Sequence, residues 1–406
     1  MRNEMKSGPK TYRILATITC CMLAIFCTTC LDYFPLPDVS SGYLVVEARF
    51  TNDPEMNQVN LSFAREVNLG GIPISGASVF VSDDLGNTGR FVESEPGFYL
   101  PESNGFYGEN ERTYVLHIEL EDGREYRSDS CMFRDVPPIE EFYWDLGQAP
   151  SPDNTSWLNG LEFKITTADL ENRAQNYLWT YEEIWEVTTP FPIHDIYIGN
   201  QQFESVNNSG LCFLSDVSSE IMIKSTADQN ENLIRDHSIV FISNETSRLW
   251  RKYRITVTQY GLSDEAYFYH DKLQEISSQT GSIFDKQPFT LRGNIRKEGD
   301  QDEIVMGYFI VSGVSTSSVT LDGRDLPSGY RGTFKEYADC TYSTRTYLVN
   351  SNTNYNRFFY SILPRWDMVF VRRLWDSEME SNVIGLLAVP VECTECIGTS
   401  ERPENW

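Results

Sequence analysis

The sequence predicts a mainly β protein, in which an N-terminal antiparallel β-sandwich precedes a larger β-rich domain with one or a few helices. Two observations predict this class. Short runs of alternating apolar and polar residues recur along the chain, and turn signals such as 82–89 and 121–124 separate the early runs about every 8–12 residues. A single clear helical pattern, after Ser263, adds the helix.

The chain begins with a pattern typical of an export signal. Basic residues precede an apolar run at 14–27, and Thr28 and Thr29 then lead to Cys30. This order predicts a signal peptide over 1–29, a lipid attachment site at Cys30 as in bacterial lipoproteins, and a lipidated tether over 30–42. The alternative is an uncleaved N-terminal anchor, which the four threonines between residues 14 and 30 disfavour.

Composition limits the partners. The chain has 406 residues, of which 33 are Lys or Arg and 59 are Asp or Glu, so its formal net charge is −26. The predicted signal removes more bases than acids, which leaves the remainder more acidic still. Nucleic acid and anionic lipid headgroups are repelled by such a surface, so no nucleic-acid partner is expected. Most of these acids are expected to be solvated surface, with cationic ligands as a secondary use.

The first domain is predicted over 43–136. Asp83 and Asp84 fall in one of its hairpin turns, where a turn is the expected reading and calcium binding the alternative. His117 lies between Leu116 and Ile118 and is interpreted as a strand-face residue. The strands are predicted at 43–50, 59–63, 77–81, 90–92, 97–100, 113–120 and 125–133.

Pro137 and Pro138 predict a stiff linker over 137–160, before a second domain over 161–406. In that domain, residues 176–187 carry an aromatic face of period two, for which core packing is expected over sugar stacking. This aromatic face comprises Tyr177, Trp179, Tyr181 and Trp185. Residues 249–260 alternate so that Tyr253, Ile255 and Val257 face inward, whereas 190–209 is predicted as loop. Further candidate strands are 161–166, 212–214, 221–224, 238–242, 293–295 and 304–311. Residues 357–362, 368–371 and 383–391 are predicted as late strands or short helices.

The predicted helix begins after Ser263, a favourable N-cap residue, with two acids in its first turn. Gly281 is the expected stop. Its apolar face comprises Ala266, Tyr269, Leu273 and Ile276.

Nine cysteines divide unevenly. Three lie in the predicted signal and Cys30 takes lipid, so five remain and at least one must be unpaired. Only two residues separate Cys393 from Cys396. A local disulfide between them is favoured slightly over a disulfide from one of them to Cys340 or Cys212. Disulfide bonding is preferred to zinc because no second Cys-x-x-Cys occurs. A bridged tail is expected to bury the ring of Trp406.

No catalytic, cofactor or metal residues are predicted. The four histidines are scattered, and the chain has no zinc-protease motif, nucleophile elbow, phosphate loop or dinucleotide fingerprint. Cys212 or Cys340 as a nucleophile would need a paired histidine, which the sequence does not indicate. An enzyme is therefore not expected.

Several phrases, weak alone, occur in an order that resembles one family. They are Leu44-Val-Val-Glu47, Thr51-Asn-Asp-Pro54, Ile74-Ser-Gly-Ala-Ser-Val79, Ser82-Asp-Asp84, Pro137-Pro-Ile139, Gly281-Ser-Ile-Phe-Asp285, Gly293-Asn-Ile295, Gly307-Tyr-Phe309 and the ending Cys393-x-x-Cys396 to Trp406. Together they resemble the Bacteroidota outer-membrane lipoproteins of domain-of-unknown-function family 4249, from Cys30 to Trp406. The family usually ends in Phe-Trp, where this chain has Asn405-Trp406.

The resemblance implies an immunoglobulin-like, carboxypeptidase-regulatory-like N-terminal sandwich and a cell-envelope protein of the outer membrane. It also implies an association with a TonB-dependent transporter in nutrient uptake, and it assigns no catalytic residues. The expected function is thus a non-catalytic accessory or ligand-capture partner of such a transporter. A structural or adhesive surface lipoprotein and, third, an exported enzyme that acts on glycans or peptides are the alternatives.

Overall fold

A computed structural model describes residues 42–64, 71–171, 173–208, 210–279, 291–333, 340, 343–375, 383–396 and 406. Met1–Tyr43 and Leu44–Trp406 are separate compact units, and only Gly42 and Tyr43 of the first are described. The predicted signal and Cys30 therefore lie outside the described residues. The second unit is mainly β, which confirms the predicted class.

Many of the regular elements fall where the sequence patterns predicted them. The helices are α1 (Asp264–Gln279) and the single turn α2 (Tyr355–Arg357), which continues into a π-helical turn at Phe358–Ile362. The strands are β1 (Leu44–Thr51), β2 (Gln58–Phe63), β3 (Ile72–Pro73), β4 (Ser78–Asp83), β5 (Thr88–Glu95), β6 (Phe98–Pro101), β7 (Thr113–Glu119), β8 (Glu125–Ser128), β9 (Cys131–Met132), β10 (Glu141–Pro150), β11 (Trp157–Ala168), β12 (Asn176–Thr188), β13 (Asp195–Gly199), β14 (Gln202–Ser205), β15 (Leu211–Val217), β16 (Met222–Ser225), β17 (Leu233–Ser243), β18 (Lys252–Leu262), β19 (Ile295–Lys297), β20 (Val305–Ser312), β21 (Val314–Asp322), β22 (Arg345–Leu348), β23 (Val369–Trp375) and β24 (Val383–Val389).

Eleven of these strands form one sheet around the N-terminal core. Its order is β19-β8-β7-β4-β5-β6-β2-β1-β20, with β3 on β2 and β9 on β7. The two ends of the sheet meet, because the side chain of Asn294, just before β19, bonds both the backbone N–H and the carbonyl of Phe309 in β20, at 2.8 and 2.9 Å. The sheet thus wraps around a single core that includes Val46, Phe50 and Leu116.

The predicted domain boundary does not isolate this sheet. β1 pairs in parallel with β20, from Leu44 opposite Val305 to Thr51 opposite Ser312. β19 likewise pairs with β8. Residues 295–312, which the sequence assigned to the second domain, therefore complete the sheet of the first, and 44–406 forms one compact unit. Contacts between residues about 260 positions apart leave no local pattern in a sequence.

The second core lies between two further sheets. β10-β11-β17 forms one, and β15-β12-β18-β21, with β16 also on β12, forms the other. Leu161 and Phe163 of β11 meet Trp179 of β12 and Ile255 of β18 in this core. Tyr253, Ile255 and Val257 are buried, as predicted. The predicted linker is wrong over 141–150, which form β10 in register with β11.

The C-terminal region adds a small lobe. It contains the sheet β22-β24-β23 and the hairpin β13-β14, and β13–β14 lies in the stretch that the sequence predicted as loop. Asp195, at the start of β13, accepts from Arg373 of β23 at 2.8 Å and joins the two parts. Phe358, Phe370 and Leu386 form a buried cluster there.

Candidate functional site

A cleft of about 370 Å³ lies between α1, β1, β20 and the second sheet, and we call it the α1 cleft. The cleft lies where the wrapped sheet meets the sheet that contains β12. β1 and β20 line it from the wrapped sheet, and Leu178 and Thr180 of β12 line it from the other. Pockets of about 300–1,000 Å³ at such junctions are typical of small-molecule sites. Its polar and aromatic lining includes Glu47, Arg49, Glu220, Tyr269, His270 and Tyr308.

Strand alternation places Glu47 and Arg49 at the cleft. Val46, Ala48 and Phe50 point into the N-terminal core and are buried, so the residues between them point to the opposite face. Glu47 is exposed there and Arg49 is half-buried. The guanidinium of Arg49 lies over the ring of Tyr260, 5.4 Å from its centroid, which is a cation–π distance.

The helix α1 supplies Tyr269 and His270. Ser263 Oγ accepts from the N–H of Ala266 at 3.2 Å, which confirms the predicted N-cap. Ala266 and Tyr269 are buried, as the predicted apolar face requires, and His270 follows on the flank that lines the cleft. The expected stop at Gly281 lies outside the described residues.

The tautomer of His270 follows from its bond. Nδ1 lies 2.7 Å from the carbonyl oxygen of Ala266. A carbonyl only accepts, so Nδ1 carries the hydrogen and Nε2 of the neutral ring is an acceptor. Burial lowers the pKa of His270; the bond to Ala266 opposes this shift, and the nearby Arg49 charge adds to it. The imidazole is therefore neutral at physiological pH and presents a hydrogen-bond acceptor.

Gly307 shapes the floor of the cleft. Its φ is +91°, and a Cβ at this position would overlap the carbonyl oxygen of Val46 on the paired strand. Only glycine permits that approach without displacing β1. The next residue, Tyr308, packs its ring 4.9 Å from that of Tyr269, so two aromatic rings form an apolar wall beside His270.

A second cavity, of about 380 Å³, lies at the start of α1 and is lined by Cys131, Arg134, Glu265 and Asn294. Asn294 Nδ2 donates to Cys131 Sγ at 3.2 Å. Burial nevertheless raises the pKa of the Cys131 thiol to about 12. A thiol that stays protonated at neutral pH is a poor nucleophile, so the geometry does not favour Cys131 as one.

The predicted local bridge between Cys393 and Cys396 is wrong. Cys393 is bonded to Cys340 and Cys396 to Cys212, whereas Cys131 is a free thiol. The long-range tie that remained open at the sequence level thus occurs twice. Two cysteines so near in sequence favour a local bridge by proximity. In the fold, however, Cys212 of β15 lies beside Cys396 and Cys340 lies beside Cys393, each pair with a Cα separation of 5.7 Å.

The tail returns to the second core region. Trp406 Nε1 donates to the carboxylate of Glu186, and its ring contacts Phe213 edge-on at 5.5 Å. Lys252 Nζ lies 4.8 Å from the ring centroid. Trp406 is half-buried rather than fully enclosed, and it bridges β12, β15 and β18.

The remaining sequence candidates have structural roles. Tyr177, Trp179 and Trp185 are buried in the second core, and Tyr181 is half-buried at its margin. This confirms the expected core packing of the aromatic face. His117 Nε2 lies 2.9 Å from Ser82 Oγ on the strand face. Asp83 caps its own turn, accepting from Leu85 N at 2.9 Å and Asn87 N at 2.8 Å, while Arg112 pairs with Asp83 and Asp84.

Within the described ranges, no group of three or more His, Cys, Asp or Glu side chains is arranged to hold a metal ion. In the same part of the chain, no helix is both long and apolar enough to cross a bilayer.

Sequence reasoning missed Arg49 and His270. The alternation of β1 and the helical pattern of α1 were both visible, and each placed its residue beside an inward face. Arg49 and His270 come together because β1 pairs with β20 and α1 packs against β12. Local sequence patterns do not encode these long-range contacts.

A family model described as Domain of unknown function (DUF4249) matches residues 32–318. This range spans the wrapped sheet, α1 and every residue named at the α1 cleft. It ends before the Cys393–Cys396 tail, so that part of the resemblance lies beyond the match. No curated protein matches the chain.

Proposed function

The chain belongs to the DUF4249 family, and from this premise we propose that it is a non-catalytic, lipid-anchored outer-membrane protein that captures a ligand for a TonB-dependent transporter. The observation that carries the proposal is the order of basic residues, apolar run and Cys30 directly before the fold. Such an order is typical of exported, processed proteins. The α1 cleft supports the capture role, because it is concave and combines aromatic walls with a few polar groups.

The short distance along the chain from Cys30 to the cleft also supports the proposal. Thirteen residues, 31–43, separate Cys30 from β1, and an extended chain of this length spans at most roughly 45 Å. β1 itself carries Glu47 and Arg49 of the cleft. A lipid on Cys30 would therefore tether β1 to the membrane by no more than this length of chain.

Two experiments test the anchor and the partner. Radiolabelled palmitate is expected to enter the wild-type chain and not Cys30→Ala, which should be released from membranes or remain as precursor. Equal labelling of both chains would refute Cys30 as the attachment site.

Detergent extraction and affinity capture of the full chain should recover a TonB-dependent transporter, identified by mass spectrometry. The matched control is Cys30→Ala, from which the transporter should be depleted. Repeated recovery of the wild-type chain alone would contradict the partnership and favour the structural or adhesive alternative. Turnover of a glycan or peptide substrate by the purified chain would contradict the non-catalytic assignment.

A further inference from the structure

Arg49 differs from several other half-buried arginines of the fold. Arg112, Arg248 and Arg373 each form an ion pair with a carboxylate. Arg49 has no carboxylate within ion-pair distance among the described residues, although the chain has 59 acids. Its one described partner is the Tyr260 ring. A half-buried guanidinium without a counter-ion is costly unless an anion reaches it, and the α1 cleft gives an anion access.

His270 adds a hydrogen-bond acceptor to the cleft, which favours a donor on the ligand rather than an anion. Because Nδ1 donates to Ala266, Nε2 can only accept in the neutral ring, and within the described part of the chain no donor reaches it. A simple anion would place oxygen lone pairs against the Nε2 lone pair. A ligand that carries an N–H or O–H donor next to its anionic group avoids this repulsion.

Two acidic side chains at the cleft also favour a positively charged donor on the ligand. Glu47 precedes Arg49 by two residues on the same face of β1, and Glu220 lies on the loop before β16. Both are exposed. Exposed carboxylates beside a neutral acceptor favour a positively charged donor over a hydroxyl. The cleft therefore offers a cationic anchor at Arg49 and an electronegative side at His270, Glu47 and Glu220.

We propose that the α1 cleft binds a free amino acid or a comparably small zwitterion, with its carboxylate on Arg49 and its ammonium group on His270 Nε2 and Glu47. The side chain of the ligand would lie against the rings of Tyr269 and Tyr308. This inference rests on the proposed capture function and names the class of molecule captured. The cleft volume, about 370 Å³, suits a ligand of this size.

The test measures binding by the full purified chain in detergent. The probe is an equimolar mixture of the twenty common amino acids, followed by single amino acids in calorimetry. Succinate serves as an anion without an ammonium group, and butylamine as an amine without a carboxylate. The mixture is expected to raise the melting temperature, and the two single-charge probes are expected to bind at least about tenfold more weakly than the best amino acid.

Variants assign the contacts. Arg49→Met keeps an apolar stem against Tyr260 and should raise Kd by about 10- to 100-fold. Arg134→Met removes an arginine from the neighbouring cavity and should leave Kd unchanged. His270→Phe keeps a flat ring without the acceptor and should weaken amino-acid binding without weakening succinate binding, since it also removes the lone pair that repels a simple anion. Circular dichroism and the melting temperature without ligand check that each variant is folded.

Three results would overturn the proposal: no binding from the mixture, equal binding by folded Arg49→Met, or succinate binding as tight as that of the best amino acid. The last would mean a general anion site. If amino acids fail to bind while a transporter still copurifies, the ligand class is wrong and the capture role stands. If amino acids bind but no transporter is recovered, the cleft assignment stands and the partnership is wrong.

Discussion

Arg248 donates from Nε to the carboxylate of Glu183 at 2.6 Å, and Glu183 is buried on the same face of β12 as the aromatic side chains. Tyr253 donates its hydroxyl to the other carboxylate oxygen at 2.7 Å. Arg248 also lies over the Trp185 ring, 4.7 Å from its centroid. The acid thus fits the apolar face because both of its oxygens have partners.

Removing this carboxylate should be costly. Glu183→Ala leaves Nε of Arg248 and the Tyr253 hydroxyl without their shared acceptor, while Asp216 still pairs with Arg248 at 2.8 Å. We therefore expect a loss of about 2–3 kcal/mol in the free energy of unfolding. The control is Glu182→Ala, since Glu182 is the exposed neighbour on the opposite face and should change stability by less than about 0.5 kcal/mol. Urea unfolding of both variants measures the difference. Similar midpoints for the two would show that the buried acid does not stabilise the core.

Peptide mapping without reduction should recover Cys212 linked to Cys396 and Cys340 linked to Cys393, with Cys131 alkylated as a free thiol. The bridges close loops of 184 and 53 residues, for which the loop-closure relation gives about 5 and 4 kcal/mol. The Cys212→Ala/Cys396→Ala pair should therefore lower stability more than Cys340→Ala/Cys393→Ala. A peptide that joins Cys393 to Cys396 would contradict the observed pairing.

Trp406 should stabilise the tail through both its ring and its N–H. Trp406→Phe keeps an aromatic ring for Lys252 and Phe213 but loses the donor to Glu186, so we expect a loss of about 1 kcal/mol. Trp406→Ala loses the ring contacts as well and should cost about 1–2 kcal/mol more. Limited proteolysis should release the tail faster in the order Ala, Phe, wild type. Equal cleavage of all three would mean that the contacts of Trp406 do not hold the tail.

His237 should make stability depend on pH in the mildly acidic range. Burial, with the charge of Lys224 second, lowers its pKa from 6.5 to about 4. Between those values the unfolded chain binds a proton that the folded chain does not, so stability falls as pH falls from about 6.5 to 4. His237→Gln should show a shallower decline over that window and the same dependence above pH 7. Parallel curves for the two chains would contradict a neutral buried His237.

Local patterns predicted the elements well and their partners poorly. Alternation identified β1, β12 and β18, and Ser263 marked the start of α1, because side-chain direction and capping depend on neighbours within a few residues. β10 was missed since Gly147 and Pro150 suggest a turn, although pairing with β11 satisfies its backbone. The disulfide partners and the Arg49–His270 cleft depend on contacts between distant segments, which a single sequence does not reveal.

The parallel pairing of β1 with β20 has a consequence for synthesis and export. A chain that emerges from its N-terminus presents β1 long before residues 305–312 arrive to cover that edge. Until then the backbone groups of a central strand, next to an apolar face, are open to pairing with other chains. We therefore expect a product cut between residues 136 and 295, which lacks β20, to aggregate rather than fold.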